Sequence, residues 1–196
     1  MMKILNNQRK KEFLIDIAQN LFSKFGFIKT TINDIARSAR MGKASLYYYF
    51  KDKEHIFTEV IERESVVLLA EISNAVSKAS SPEDKIKSFI LTKMKYLKKL
   101  ANIYSALVDD YLKHYKTIDN LTKDYYRQER AIIAKILKEG VSRDEFIVDD
   151  IDLTAEAIAA ALKSFEFDWT LSVPMARIEQ DIDKLSHILF YGILKR

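Results

Sequence analysis

The scarcity of chain-turning residues constrains this sequence more than any other feature: 196 residues hold 4 Gly and 2 Pro. Tight hairpins draw on Gly at positions of positive φ and on Pro at fixed turn positions, so a sandwich or barrel has too little material here. The apolar residues recur instead at helical spacing. Phe13, Ile17, Leu21 and Phe25 repeat every four positions, with Leu14, Ala18 and Phe22 beside them. With 48% hydrophobic residues the chain can bury a sizeable core. The absence of Cys excludes a disulfide scaffold, a zinc ribbon and a thiol nucleophile. Residues 1–5 lack a signal-peptide core. No run approaches the ~20 apolar residues of a membrane span. These features point to a soluble cytoplasmic protein.

Periodicity and breaks predict nine helices and no strand. The first covers residues 8–25, with Gly26 where a C-cap is wanted. A short second helix begins at Ile32, where Thr31 and Asp34 have capping-box spacing. A turn at residues 40–43 leads to a short third helix over 44–49. Asp52 is a candidate N-cap for a long fourth helix over 53–78. Ser81 and Pro82 restart the chain for a fifth over 82–100. The sixth and seventh are expected over 102–115 and 119–139, the latter ended by Gly140. The eighth runs from the aspartates near 150 to 171, and the ninth spans 175–194 after Pro174. Gly192 falls inside that last helix, where nothing in the sequence accounts for it.

Charge divides the chain. The first 53 residues hold eleven basic and four acidic side chains, a net of +7, and the remainder carries −3 of the overall +4. A basic segment joined to a near-neutral one suggests a nucleic-acid-facing module. Within it, two short helices joined by a tight turn and preceded by a packing helix describe a helix-turn-helix. Such a unit needs a short, exposed second helix whose N-terminal residues enter a major groove. Residues 41–45 with Tyr47 and Tyr48 satisfy this. Residues 47–50 form an aromatic run that cannot all face one core at helical spacing, so at least one Tyr is exposed.

Thr31-Ile32-Asn33-Asp34-Ile35-Ala36, then Ala39, then Lys43-Ala44-Ser45-Leu46-Tyr47-Tyr48-Tyr49-Phe50-Lys51-Asp52-Lys53-Glu54 resembles the N-terminal signature of the TetR family of transcriptional regulators. Gly140 with Glu145-Phe146 is similar to the family's loop before its eighth helix. The resemblance implies an all-α, two-domain chain. Residues 1–52 would form a three-helix helix-turn-helix domain, and residues 53–196 a helical bundle for ligand binding and dimerisation. It implies a homodimer that binds palindromic double-stranded DNA and is released by a small-molecule inducer, hence a repressor. Thr31 would approach a phosphate, Lys43, Ala44 and Ser45 would face base edges, Tyr47, Tyr48 and Tyr49 would touch backbone or bases, and Lys53 a phosphate. Arg40 and Gly42 belong to the same surface. Four positions depart from the family pattern. Arg40 stands where Gly is common, Gly42 for a Ser or Thr cap, Ala44 for Gly, and Tyr49 for His. If Arg40 needs positive φ, it carries a left-handed cost of about 1–2 kcal/mol.

Two stripes near the C-terminus suit a dimer interface: Ile158 and Leu162 on one helix, and Ile178, Ile182, Leu185, Leu189 and Ile193 on the next. Bulky residues that can line a ligand pocket are Phe89, Tyr96, Tyr104, Leu107, Tyr111, Phe165 and Trp169, and each can equally be ordinary core. A largely hydrophobic inducer is expected. No cofactor or metal is expected, since the three His form no metal-ligand cluster. A helical-bundle enzyme is the competing reading, but there is no Glu-x-x-His pair, nucleotide loop or Ser-His-Asp candidate. An architectural DNA binder would leave roughly 140 residues without a role.

Overall fold

The computed structural model describes the backbone of residues 2–192 and the side chains of residues 7–101, 103 and 122–192. Among these it is all-helical, with eight helices: α1 (Met2–Phe25), α2 (Ile32–Ser38), α3 (Lys43–Tyr47), α4 (Lys53–Lys78), α5 (Pro82–Lys99), α6 (Ala101–Ser142), α7 (Ile151–Leu171) and α8 (Met175–Tyr191). The count differs from the expected nine because the sixth and seventh predicted helices run on as one 42-residue helix, α6. No Gly or Pro separates them, and Thr117 with Ile118 lowers helix propensity without breaking a helix. The chain divides into two compact units: Met1–Ser65 with Leu100–Leu121, and Val66–Lys99 with Thr122–Arg196.

In the first unit α2 packs against both α1 and α3. The α1 face that enters the core is Leu14, Ala18 and Phe22, all fully buried, while Phe13 and Phe25 are each about half exposed. The sequence stripe was therefore centred one row off. Leu14 and neighbouring Ile15 are both buried, so the inward face lies on the Leu14 side of the apolar stripe. Phe22, Phe27 and Phe57 form an aromatic trio with centroid separations of 4.5–5.6 Å. Gly26 adopts φ 80° and its N–H bonds to Phe22 O, closing α1 as a left-handed cap. The Thr30 hydroxyl then donates to Gly26 O at 2.8 Å, fixing the loop that leads to α2.

In the second unit α5 packs on α7 and α8. Its core joins Ile86, Phe89 and Met94 of α5, Ile133 and Ile136 of α6, Ile158 and Trp169 of α7, and Ile178 and Ile182 of α8. The N-caps of α5 and α7 fall at the breaks the sequence shows, whereas α6 runs through Gly140, the expected stop, to Ser142. The Ser81 hydroxyl accepts from Asp84 N, and Asp150 accepts from Leu153 N. α8 ends earlier than expected, because Gly192 takes φ 73° and its N–H bonds to Ile188 O. That geometry accounts for Gly192: it stops the helix in a backbone region that residues with a Cβ avoid.

Candidate nucleic-acid interface

The helix-turn-helix begins with a complete capping box. Thr31 Oγ1 accepts from Asp34 N at 3.2 Å, and the Asp34 carboxylate accepts from Thr31 N at 3.0 Å. These bonds hold the Asp34 carboxyl below the usual carboxylate range, with the Thr31 hydroxyl the largest cause. The backbone then reverses at Arg40, which takes φ 52°. Around it Arg40 N bonds to Arg37 O and Met41 N bonds back to Ala36 O at 2.9 Å. The turn thus needs a left-handed residue and uses Arg for it. Gly42 follows as the N-cap of α3 at φ −71° and ψ 148°, without a side-chain cap.

α3 separates its residues into two faces. Leu46 and the following Phe50 are each 1% exposed and hold the helix to the core. Gly42, Lys43, Ala44, Ser45, Tyr47 and Tyr48 are all exposed, Tyr48 at 73%, and Tyr49 is half-buried. Thr31 and Arg40 are exposed beside them. Tyr48 and Tyr49 meet edge to face at 5.0 Å, so each ring limits the other's freedom. Lys43 Nζ lies 5.8 Å from the Tyr47 ring. The result is a continuous polar and aromatic surface with small side chains at its N-terminal end, a shape that admits close approach to base edges.

Lys53, expected at a phosphate, makes an internal contact in the DNA-free chain. Its Nζ donates to Phe27 O at 2.9 Å and sits 4.1 Å over the Phe27 ring. It fixes the loop between α1 and α2, and so the level at which Thr31 starts α2.

The expected ligand and dimer residues divide differently. Phe89 is fully buried in the core, and Tyr96 packs at its edge. Tyr104, Leu107 and Tyr111 lie outside the described side chains. Phe165 and Trp169 stack at 5.0 Å and line an apolar groove of about 200 Å³ on α7 and α8. The same groove is lined by Ile158, Leu162, Ile182, Leu185 and Leu189. Of the residues expected at a dimer interface, Ile158, Leu162, Ile178 and Ile182 are already buried within the single chain. The surface left on this stripe belongs to Leu185, half-buried, and to Leu189 with neighbouring Ile188, both exposed. Ile193 lies outside the described residues.

A buried ionic node went unnoticed in the sequence. Lys93 of α5, fully buried, donates to Glu129 of α6 and pairs with Glu166 of α7, and both carboxylates are buried. Burial opposes the Lys93 charge, but Glu166 and Glu129 outweigh it and hold the ammonium above its usual range. Burial pushes the Glu129 carboxyl up, against the pull of Lys93. A signal was available: Lys93 interrupts an inward row of Phe89, Ile90, Met94 and Leu97 at a position where only a paired charge is tolerated.

Fold and surface together define a helix-turn-helix DNA-binding protein with a separate helical unit. Residues 14–60 match the family model described as bacterial regulatory proteins, tetR family. The chain is 26% identical over 157 residues to the HTH-type transcriptional regulator QacR of Staphylococcus aureus, across 78% of this chain and 81% of that one. It is 28% identical over 150 residues to the HTH-type transcriptional repressor KstR2 of Mycolicibacterium smegmatis, across 74% and 71% of the two chains. The solved structure of FadR from Bacillus subtilis in complex with stearoyl-CoA shares the fold, with a TM-score of 0.71 over 92% of this chain and 98% of that one at 18% identity. The helix-turn-helix of residues 14–60 is thus a tetR-family domain, and the relatives matched over most of this chain are transcriptional regulators.

Proposed function

We infer that the protein is a ligand-responsive repressor that reads palindromic DNA as a homodimer in the cytoplasm. Residues 1–52 serve as the DNA-binding domain and residues 53–196 as the ligand-binding and dimerisation domain. The observation that carries this reading is α3: its two anchors are buried while Lys43, Ala44, Ser45, Tyr47 and Tyr48 stand exposed on one short helix. Thr31 and Arg40 flank that surface and supply phosphate contacts, which position the helix but carry no sequence information. Lys53 acts indirectly, through the loop it holds.

A small, largely hydrophobic inducer is supported by the stearoyl-CoA bound in FadR of Bacillus subtilis, which shares the fold. Repression is supported by the KstR2 relative. Dimerisation through α7 and α8 is supported by exposed Ile188 and Leu189 beside Leu185, since isolated two-fold partners bury such a patch. Among the described residues no helix is long and apolar enough to cross a membrane. Selection of duplexes from a random pool by the purified protein tests the reading. A two-fold-symmetric consensus is expected, and a pool without any enriched sequence contradicts it.

A further inference from the structure

α7 ends in carbonyls that its own helix cannot use. The last C=O groups of a helix have no intrahelical partner and form the negative end of its dipole. The chain leaves α7 as Ser172 N and Val173 N both turn back to Asp168 O, at 2.8 and 3.0 Å, and α8 starts after Pro174. A side chain from another helix meets the open carbonyls. Lys98, half-buried in the last turn of α5, donates from Nζ to Val173 O at 2.6 Å, to Trp169 O at 3.0 Å and to Thr170 O at 3.2 Å. Three acceptors match the three protons of an ammonium. They span the last turn of α7 and the connection to α8, so one group holds both. Five positions earlier on α5, Lys93 pairs with Glu166 of α7. Trp169, whose carbonyl Lys98 holds, stacks on Phe165 at 5.0 Å and lines the groove together with Leu185 and Leu189 of α8. Ile90 of α5 reaches the same groove.

We propose that Lys98 is a positioning residue for dimerisation: it fixes the angle at which α8 leaves α7, and so the shape of the face a second copy meets. This rests on the reading of α7 and α8 as the dimer face. A two-fold interface uses the same patch on both chains, so an error in that angle enters the contact twice. Without Lys98 the freed carbonyls turn to water and the last turn of α7 frays. The core survives, because Ile158 of α7 and Ile178 and Ile182 of α8 stay buried against α5 and α6. What loosens is the register of Leu189 and Ile188 against Phe165 and Trp169, the exposed part of the face. The consequence is a chain that folds and associates poorly.

Sedimentation of the full chain over a range of concentrations gives the dimer Kd for wild type and variants, with helical circular dichroism as the check on folding. Lys98→Met keeps an unbranched apolar stem and removes every donor. It should raise the Kd at least about tenfold, the worth of one hydrogen bond to a charged group. Lys98→Gln, which keeps a polar end but no charge, repeats the comparison and should raise it at least about threefold. Lys98→Arg keeps charged donors and should recover most of the affinity. Ser81→Ala removes the cap at the far end of α5 and serves as the control for lost stability alone. Its Kd should stay within about twofold of wild type. An unchanged Kd for both Lys98→Met and Lys98→Gln, or an equal loss in Ser81→Ala, overturns the positioning role. Leu189→Glu separates that failure from a failure of the dimer face. If Leu189→Glu stays dimeric, or the wild type is itself a monomer, the reading of the face falls and the proposal falls with it. If Leu189→Glu is monomeric while Lys98→Met dimerises like wild type, the role of Lys98 alone is overturned.

Discussion

Arg40 is held at φ 52° by the turn around it, with Met41 N bonded to Ala36 O. A residue with a Cβ is strained there by about 1–2 kcal/mol. Glycine relieves that strain but adds freedom to the unfolded chain, which returns part of the gain. Arg40→Gly should therefore raise stability by about 0.5–1 kcal/mol in urea unfolding. A stability equal to or below wild type contradicts the strain. The same variant should bind DNA less well, because an exposed cation beside α3 is lost. At Glu129 the argument concerns protons. Burial raises its carboxyl above the ordinary 4.5 in the folded chain, so the native state holds that proton more tightly than the unfolded state. Its stabilising contribution is complete below pH 4.5 and is lost as pH rises through the folded value. Glu129→Gln should hence lose less stability than wild type on going from acid to neutral pH. Identical pH profiles of the unfolding free energy contradict the assignment.

At the scale of elements, two features decide where helices stop and what they leave uncovered. Gly140 lies in the last turns of α6, and Phe146 folds back over it. A Cβ at Gly140 would fall 2.1 Å from the Phe146 ring, which itself stacks on Phe190 of α8 at 5.3 Å. Gly140→Ala should displace that ring and cost about 1–3 kcal/mol, measured by thermal or urea unfolding. A neutral result would mean the ring moves without loss. On α8, Leu189 is 44% exposed beside exposed Ile188. Leu189→Glu should convert the protein to monomers in sedimentation velocity while leaving its helical circular dichroism intact. A persistent dimer places the interface elsewhere.

Across the whole molecule, the caps and breaks were written in short-range chemistry and could be read directly. Thr31 with Asp34, Ser81 with Pro82, and Asp52 all act where their spacing says. The anchors Leu46 and Phe50 and the exposure of Tyr48 were legible for the same reason, since helical spacing alone separates two faces. Four features were not legible, or barely so. The continuity of α6 depends on the absence of a breaker, which weak propensities around Thr117 do not reveal. The partition between Phe13 and Leu14 depends on which row meets the other helices, a tertiary fact. The internal use of Lys53 depends on a carbonyl 26 positions earlier. The node of Lys93, Glu129 and Glu166 joins three helices far apart in sequence. Only the charge inside an apolar row hints at it.

The basic head and the near-neutral remainder also fit one physical division of labour. Phosphates attract the +7 segment from a distance, while α3 supplies the sequence preference. General attraction and specific reading separate with salt, because the former weakens steeply as ions are added. The most direct measurement compares the affinity of the wild-type protein for its selected palindrome and for a scrambled duplex at about 0.15 M salt. Tyr48→Ala is carried alongside. The predicted result is a preference of at least about a thousandfold for the palindrome, bound by two chains, and a marked drop for Tyr48→Ala. Equal binding of both duplexes, unaffected by Tyr48→Ala, would contradict the account.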